Sequence, residues 1–184
     1  INKNENAIIS ENKGSSDKYV SIYTCHDSSY LGFAYYPWSW GEGHSKQVIF
    51  SSPHTFPGGK LSSYNMGLTV VHEMGHFLGL RHTFSWSRSC ESGDDGIADT
   101  PHEKTPSYGC DLKRDTCPDK EGKDPVWSYM DYSIDSCLDR FSPDQTTYMV
   151  NAVSINSVLF VTIGFKLSCL HLLFVNGTQI RPLP

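Results

Sequence analysis

A chain of 184 residues with 38% apolar content can bury one core, so a single folded domain is expected. Its formal net charge of -5 argues against nucleic acid or an anionic membrane as the default partner, and is what an ordinary solvated surface carries.

Residues 1–18 are polar and charged. They contain no apolar h-region, and the chain does not open on Met, so a leader and any pro-segment are expected upstream in a longer precursor. Tyr19-Val20-Ser21-Ile22-Tyr23-Thr24 is rich in aromatic and β-branched side chains and predicts a strand. Residues 26–46 gather Gly, Pro and the aromatics Tyr35, Tyr36 and Trp38, which reads as a loop with aromatic anchors. Gln47-Val48-Ile49-Phe50-Ser51 is a second short strand, and Pro57-Gly58-Gly59 is a turn. In segment 65–79, Leu68, Val71 and Phe77-Leu78 recur near helical spacing and predict a buried helix that Gly79 stops. From there to about Arg140 turn formers dominate. A closing helix is expected from Pro143 to about Val153, with Ser142 as its N-cap.

Residues 154–184 form an atypical, mostly apolar tail. Val158 to Val175 is long enough to raise the question of a membrane span, but Lys166 in its middle is costly in a bilayer. A membrane is therefore not the expected partner. A buried strand or helix, and an aberrant C-terminus such as translated non-coding sequence, are the other readings. Asn176-Gly177-Thr178 is a glycosylation acceptor by pattern, on Asn176.

Four of the six cysteines, Cys90, Cys110, Cys117 and Cys137, crowd into the loop-rich stretch. Such a stretch buries little apolar surface, and covalent cross-links substitute for a core. A structural zinc site competes with disulfides for these four residues, but no C-x-x-C pair is present, so disulfides are favoured. That choice implies an oxidising compartment and secretion. Spacing does not choose among the three pairings of four cysteines. Cys25 and Cys169 receive no partner.

The segment His72-Glu73-Met74-Gly75-His76-Phe77-Leu78-Gly79-Leu80-Arg81-His82 matches H-E-x-x-H-x-x-G-x-x-H. Residues four apart share a helix face, so His72 and His76 are expected to grip one ion together. Glu73 is rotated by about 100° from His72 and reaches the open coordination position without filling it. Gly79 breaks the helix, which brings His82 back as a third ligand. Three neutral imidazoles leave zinc its full charge, and that arrangement suits activation of water, with Glu73 as general base.

With this motif the chain resembles the metzincin zinc proteases, and Ser128-Tyr129-Met130-Asp131-Tyr132 resembles their methionine-containing turn, with Met130 as its methionine. More closely, the chain is similar to the pappalysin family and its fungal secreted extracellular metalloproteases. The residues that carry this include Gly67-Leu68-Thr69, His82-Thr83-Phe84, Asp99-Thr100-Pro101, Asp135-Ser136-Cys137 and Phe141-Ser142-Pro143-Asp144-Gln145. The resemblance implies an α+β fold, with a small mixed sheet and active-site helix above a loop-rich, disulfide-stapled lower subdomain. It implies residues 1–153 as an N-terminally truncated catalytic domain, and a zinc-dependent endopeptidase that acts on extracellular proteins or peptides, as a monomer. A secreted zinc-binding module, inactive through truncation, is the alternative.

The family also implies disulfides Cys90–Cys117 and Cys110–Cys137. It gives Tyr132 as a hydrogen-bond donor to the oxyanion of the reaction, and supports calcium as a second ion at Asp94, Asp95 and Asp99. Substrate is expected to lie extended along an edge strand, assigned to the one around Gln47–Ser51. The family usually carries Asn at the position of Ser128, and this chain departs from it there.

Overall fold

The computed structural model describes residues 20–24, 30–39, 44, 47–84, 88–91, 95–155 and 170–173. The N-terminal polar stretch, Cys25, Asp94, Cys169 and Asn176 lie outside the described residues.

Two short runs of consecutive buried residues build the centre of the sheet. Strands β1 (Ser21–Thr24) and β3 (Val48–Ser51) pair in parallel, from Ser21 opposite Val48 to Thr24 opposite Ser51. All eight residues are buried, as expected of strands covered on both faces. Strand β2 (Gly32–Ala34) runs antiparallel to β3, with Gly32 opposite Ser51. Strand β4 (Leu170–Leu173) runs antiparallel to β1, giving a mixed sheet in the order β2-β3-β1-β4.

One expectation changes here. The strand around Gln47–Ser51 is interior to the sheet, between β2 and β1, and so cannot offer a free edge to a substrate. The edge on that side is β2, which falls inside the stretch read as a loop because three residues are too few for a strand signal. Within the apolar tail, Leu170–Leu173 pairs with β1 over four residues, in keeping with the reading of a buried strand there. Among the described residues no helix is long and apolar enough to cross a membrane.

Side chains alternate across the sheet. Tyr23, Val48 and Phe50 pack together on one face with Phe33, and the Tyr23 and Phe50 rings stack at 5.2 Å. Val20, Ile22 and Ile49 face the other way, against helix α1 (Leu68–Phe77). The helix presents Val70, Met74 and Phe77 to them, an i, i+4, i+7 stripe. The opposite side of the helix is thereby left to face the lower half of the molecule.

That lower half is mostly loop, held by two interleaved disulfides, Cys90–Cys117 and Cys110–Cys137. Inside the loops Arg114 is shared by the buried carboxylates of Glu103 and Asp124, and also donates to the carbonyls of Thr105 and Pro106. Helix α2 (Pro143–Ile155) closes the chain's lower half. Its start is a reciprocal capping box: Gln145 N donates to Ser142 Oγ at 3.0 Å, and Ser142 N donates to Gln145 Oε1 at 2.9 Å. Leu80, Ile97 and Met130 form the small core beneath α1, with Phe141 and Met149 against them.

Candidate metal centre

The ends of α1 decide where its side chains point. No side chain of the preceding residues caps the start, since Gly67 occupies the N-cap with φ +90°. The cap comes from the lower half instead: Asp135 Oδ2 accepts from Met66 N at 2.7 Å and also bonds the Leu68 backbone. At the other end Gly79 adopts φ +95°, the left-handed conformation that a side chain resists. Gly79 N donates to His76 O and Leu80 N to Gly75 O, both at 2.9 Å, the paired bonds of a Schellman turn. This turn reverses the chain and returns His82 to the helix face that carries His72 and His76.

The three rings converge. His72 Nε2 lies 3.2 Å from His82 Nε2, and His76 Nε2 lies 2.9 Å from it. The Nδ1 atoms of His72 and His76 face backbone oxygens, Tyr129 O at 2.6 Å and Leu80 O at 2.7 Å. Each must donate there, which leaves Nε2 of both rings without a proton and with its lone pair directed inward. Burial pushes His72 down to about 3 and His76 down to about 4, and burial together with the two neighbouring imidazoles pushes His82 lower still. All three are neutral at physiological pH. Converging lone pairs repel unless a cation lies among them. A tetrahedral zinc with bonds of about 2.05 Å would hold its nitrogens about 3.3 Å apart, close to the observed spacing. Among the described residues this is the group of three that fits a metal ion.

Glu73 is buried beside this group, and burial raises its carboxyl to about 8. Tyr132 lies across the site, its ring edge-on to His82 at 4.8 Å and 5.6 Å from the His72 ring. Burial and the Glu73 carboxylate raise its phenol above the usual value. Met130 is fully buried under the helix. A cavity of about 250 Å³ opens beside His72 and Glu73, walled by Leu68, Tyr64, Tyr108 and Tyr132.

The acidic residues do other work. Asp99 receives Ser142 Oγ at 2.6 Å and Asp144 N at 3.0 Å, bracing the start of α2, and Asp95 Oδ1 receives Ile97 N at 3.1 Å. Neither joins a cluster of three potential ligands among the described residues. Three residues that shape the site had carried no role of their own in the motif: Asp135, the remote helix cap; Tyr108, a cavity wall; and Gly32, against the helix. Their signals are contacts between distant segments.

A family model described as "Peptidase_M43: Pregnancy-associated plasma protein-A" matches residues 3–154. An "Extracellular metalloprotease" of Colletotrichum graminicola is 46% identical over 136 residues, which cover 71% of this chain and 47% of that protein. One of Podospora anserina is 42% identical over 123 residues, covering 64% of this chain and 40% of the relative. The chain thus spans about half the length of the curated relatives it matches. Among solved structures, "Tannerella forsythia mature mirolysin in complex with a cleaved peptide" is similar, with TM-score 0.71 and 28% identity over 81% of this chain and 59% of that one.

Proposed function

Because the chain belongs to the Peptidase_M43 family, we propose that it carries the centre of a secreted, zinc-dependent endopeptidase, with His72, His76 and His82 as ligands and Glu73 as general base. The observation that carries this is the convergence of three neutral Nε2 atoms, two of them on buried rings fixed in the metal-binding tautomer by backbone carbonyls. Secretion rests on relatives named extracellular and on the two disulfides.

Zinc, when bound, supplies Lewis-acid chemistry that polarises a carbonyl and acidifies water near neutral pH. The chain's own residues do the rest. Glu73, one step along the helix from His72, takes a proton on a carboxylate oxygen as water attacks the scissile carbonyl, then delivers it to the departing amine. The Tyr132 hydroxyl donates a hydrogen bond to the oxygen on which charge develops. Strand β2, at the sheet edge beside the cavity, offers its backbone to an extended peptide. Calcium has less support as a second ion, since Asp95 and Asp99 spend carboxylate oxygens on local bonds.

The test is casein digestion by the purified chain, with metal content measured by mass spectrometry before and after chelation. About one zinc per chain, lost together with proteolysis and restored with it, is expected. Glu73→Ala is expected to keep zinc and lose cleavage, and full activity in that variant sinks the general-base assignment. Zinc bound without any cleavage would favour an inactive zinc-binding module.

A further inference from the structure

We propose that Gly32 is a positioning residue for Glu73: its missing side chain is the space into which the stem of the glutamate fits. The proposal rests on the assignment of Glu73 as general base. A Cβ built at Gly32 would stand 2.9 Å from Glu73 Cγ, 2.9 Å from Thr69 Cγ2 and 2.9 Å from Phe50 O. Real Cβ atoms do not approach neighbours this closely, so an alanine here strains all three contacts, and the softest of them gives most.

Two of them resist. Phe50 O belongs to the interior strand β3, whose ladder to β2 sets Gly32 opposite Ser51. The Thr69 methyl sits on a buried, β-branched side chain that is stiff about χ1. Glu73 is unbranched at Cγ, so its rotation is the easiest response, and any rotation of the stem carries the carboxylate away from the converging imidazoles. Gly32 is not among the glycines with positive φ. Its backbone would suit other residues, and the requirement for glycine is steric, imposed by the helix. The edge strand thus has two duties: one face of its backbone is offered to the cleft, and its bare Cα holds the base in place. Displacing a catalytic group by about 1 Å is enough to slow a reaction on the order of 100-fold.

Two measurements on the full chain test this. In the zinc-loaded protein, Gly32→Ala is expected to lower kcat at least tenfold, with KM within twofold and zinc content unchanged. Separately, urea unfolding is followed for Gly32→Ala alone and with Glu73→Ala, which deletes the Cγ. The alanine at 32 is expected to lower the midpoint in both backgrounds, and by clearly less in the second. Unchanged kcat, a loss carried by KM, or an equal midpoint shift in both backgrounds overturns the proposal. So does relief by Thr69→Ser in place of Glu73→Ala. Should Gly32→Ala not fold, recovery of folding in the double variant supports the proposal and its failure refutes it. If the parent chain cleaves nothing, the general-base assignment falls, while the unfolding comparison still decides the packing.

Discussion

Gly75 lies against the sulfur of Met130. A Cβ at Gly75 would overlap Met130 Sδ and come within 3.2 Å of Phe141 Cε1. The helix carrying His72 and His76 therefore rests on the fully buried methionine at the one turn where it has no side chain. Gly75→Ala should cost about 1–3 kcal/mol of stability through overpacking, although alanine favours helix. It should also weaken zinc binding by lifting the helix from its support. Urea unfolding and chelator competition measure the two effects, and a stabilised variant would show that the methionine yields freely.

Tyr132→Phe isolates the phenol. The ring contacts to His82 and Phe84, at 4.8 Å each, survive in phenylalanine, so zinc content and unfolding temperature should hold. Loss of one oxyanion donor should lower kcat on the order of 100-fold with little change in KM. A kcat within twofold of the parent would leave Tyr132 as a packed aromatic only.

The buried acid cluster makes stability depend on pH. Burial first, then the charge of Asp131, holds the Glu103 carboxyl above its ordinary 4.5. The native state then binds this proton more tightly than the unfolded chain. That contribution is fully present below about 4.5 and is lost as pH rises above it. Glu103→Gln leaves Arg114 its pair with Asp124 and gives Thr83 Oγ1 an amide oxygen in place of the carboxylate at 2.8 Å. The variant should show a flatter fall in unfolding temperature than the parent between pH 5 and 8. An identical slope would show that Glu103 is ionised throughout, held so by Arg114.

The Cys110–Cys137 bridge closes a loop of sequence separation 27, for which chain entropy predicts about 3.5 kcal/mol of stabilisation. It also ties Tyr108 and Leu138, two residues lining the cavity, through cysteines nearby in sequence. Replacing both cysteines by serine should lower stability by roughly that amount and raise KM more than it lowers kcat. Peptide kinetics below the unfolding temperature separate the two.

What was legible in the sequence was local. One helix carries His72, Glu73 and His76, and His82 follows after a single glycine turn, so spacing sufficed to foresee that the three imidazoles meet. Ser142 and Gln145 cap α2 within four residues, and that helix was foreseen at its start, though it runs to Ile155. The rest depends on pairs far apart. Strand β2 is three residues long and is defined by its pairing with β3, so no periodicity announces it. The order of strands, which makes β2 and not β3 the edge beside the cavity, is likewise a matter of pairing. Asp135 stood out only as part of the family pattern, and its capping role is not legible locally because the amide that it caps is 69 residues away.

That remote cap has a mechanical meaning. Asp135 lines the cavity and Met66 stands just before α1, and one carboxylate joins them through a bond 2.7 Å long. Pulling the two segments apart strips the Met66 and Leu68 amides of their acceptor, each at a cost of roughly 1.5–3 kcal/mol. The cavity is thus latched at the helix start, and widening there is opposed by the same carboxylate that completes the helix.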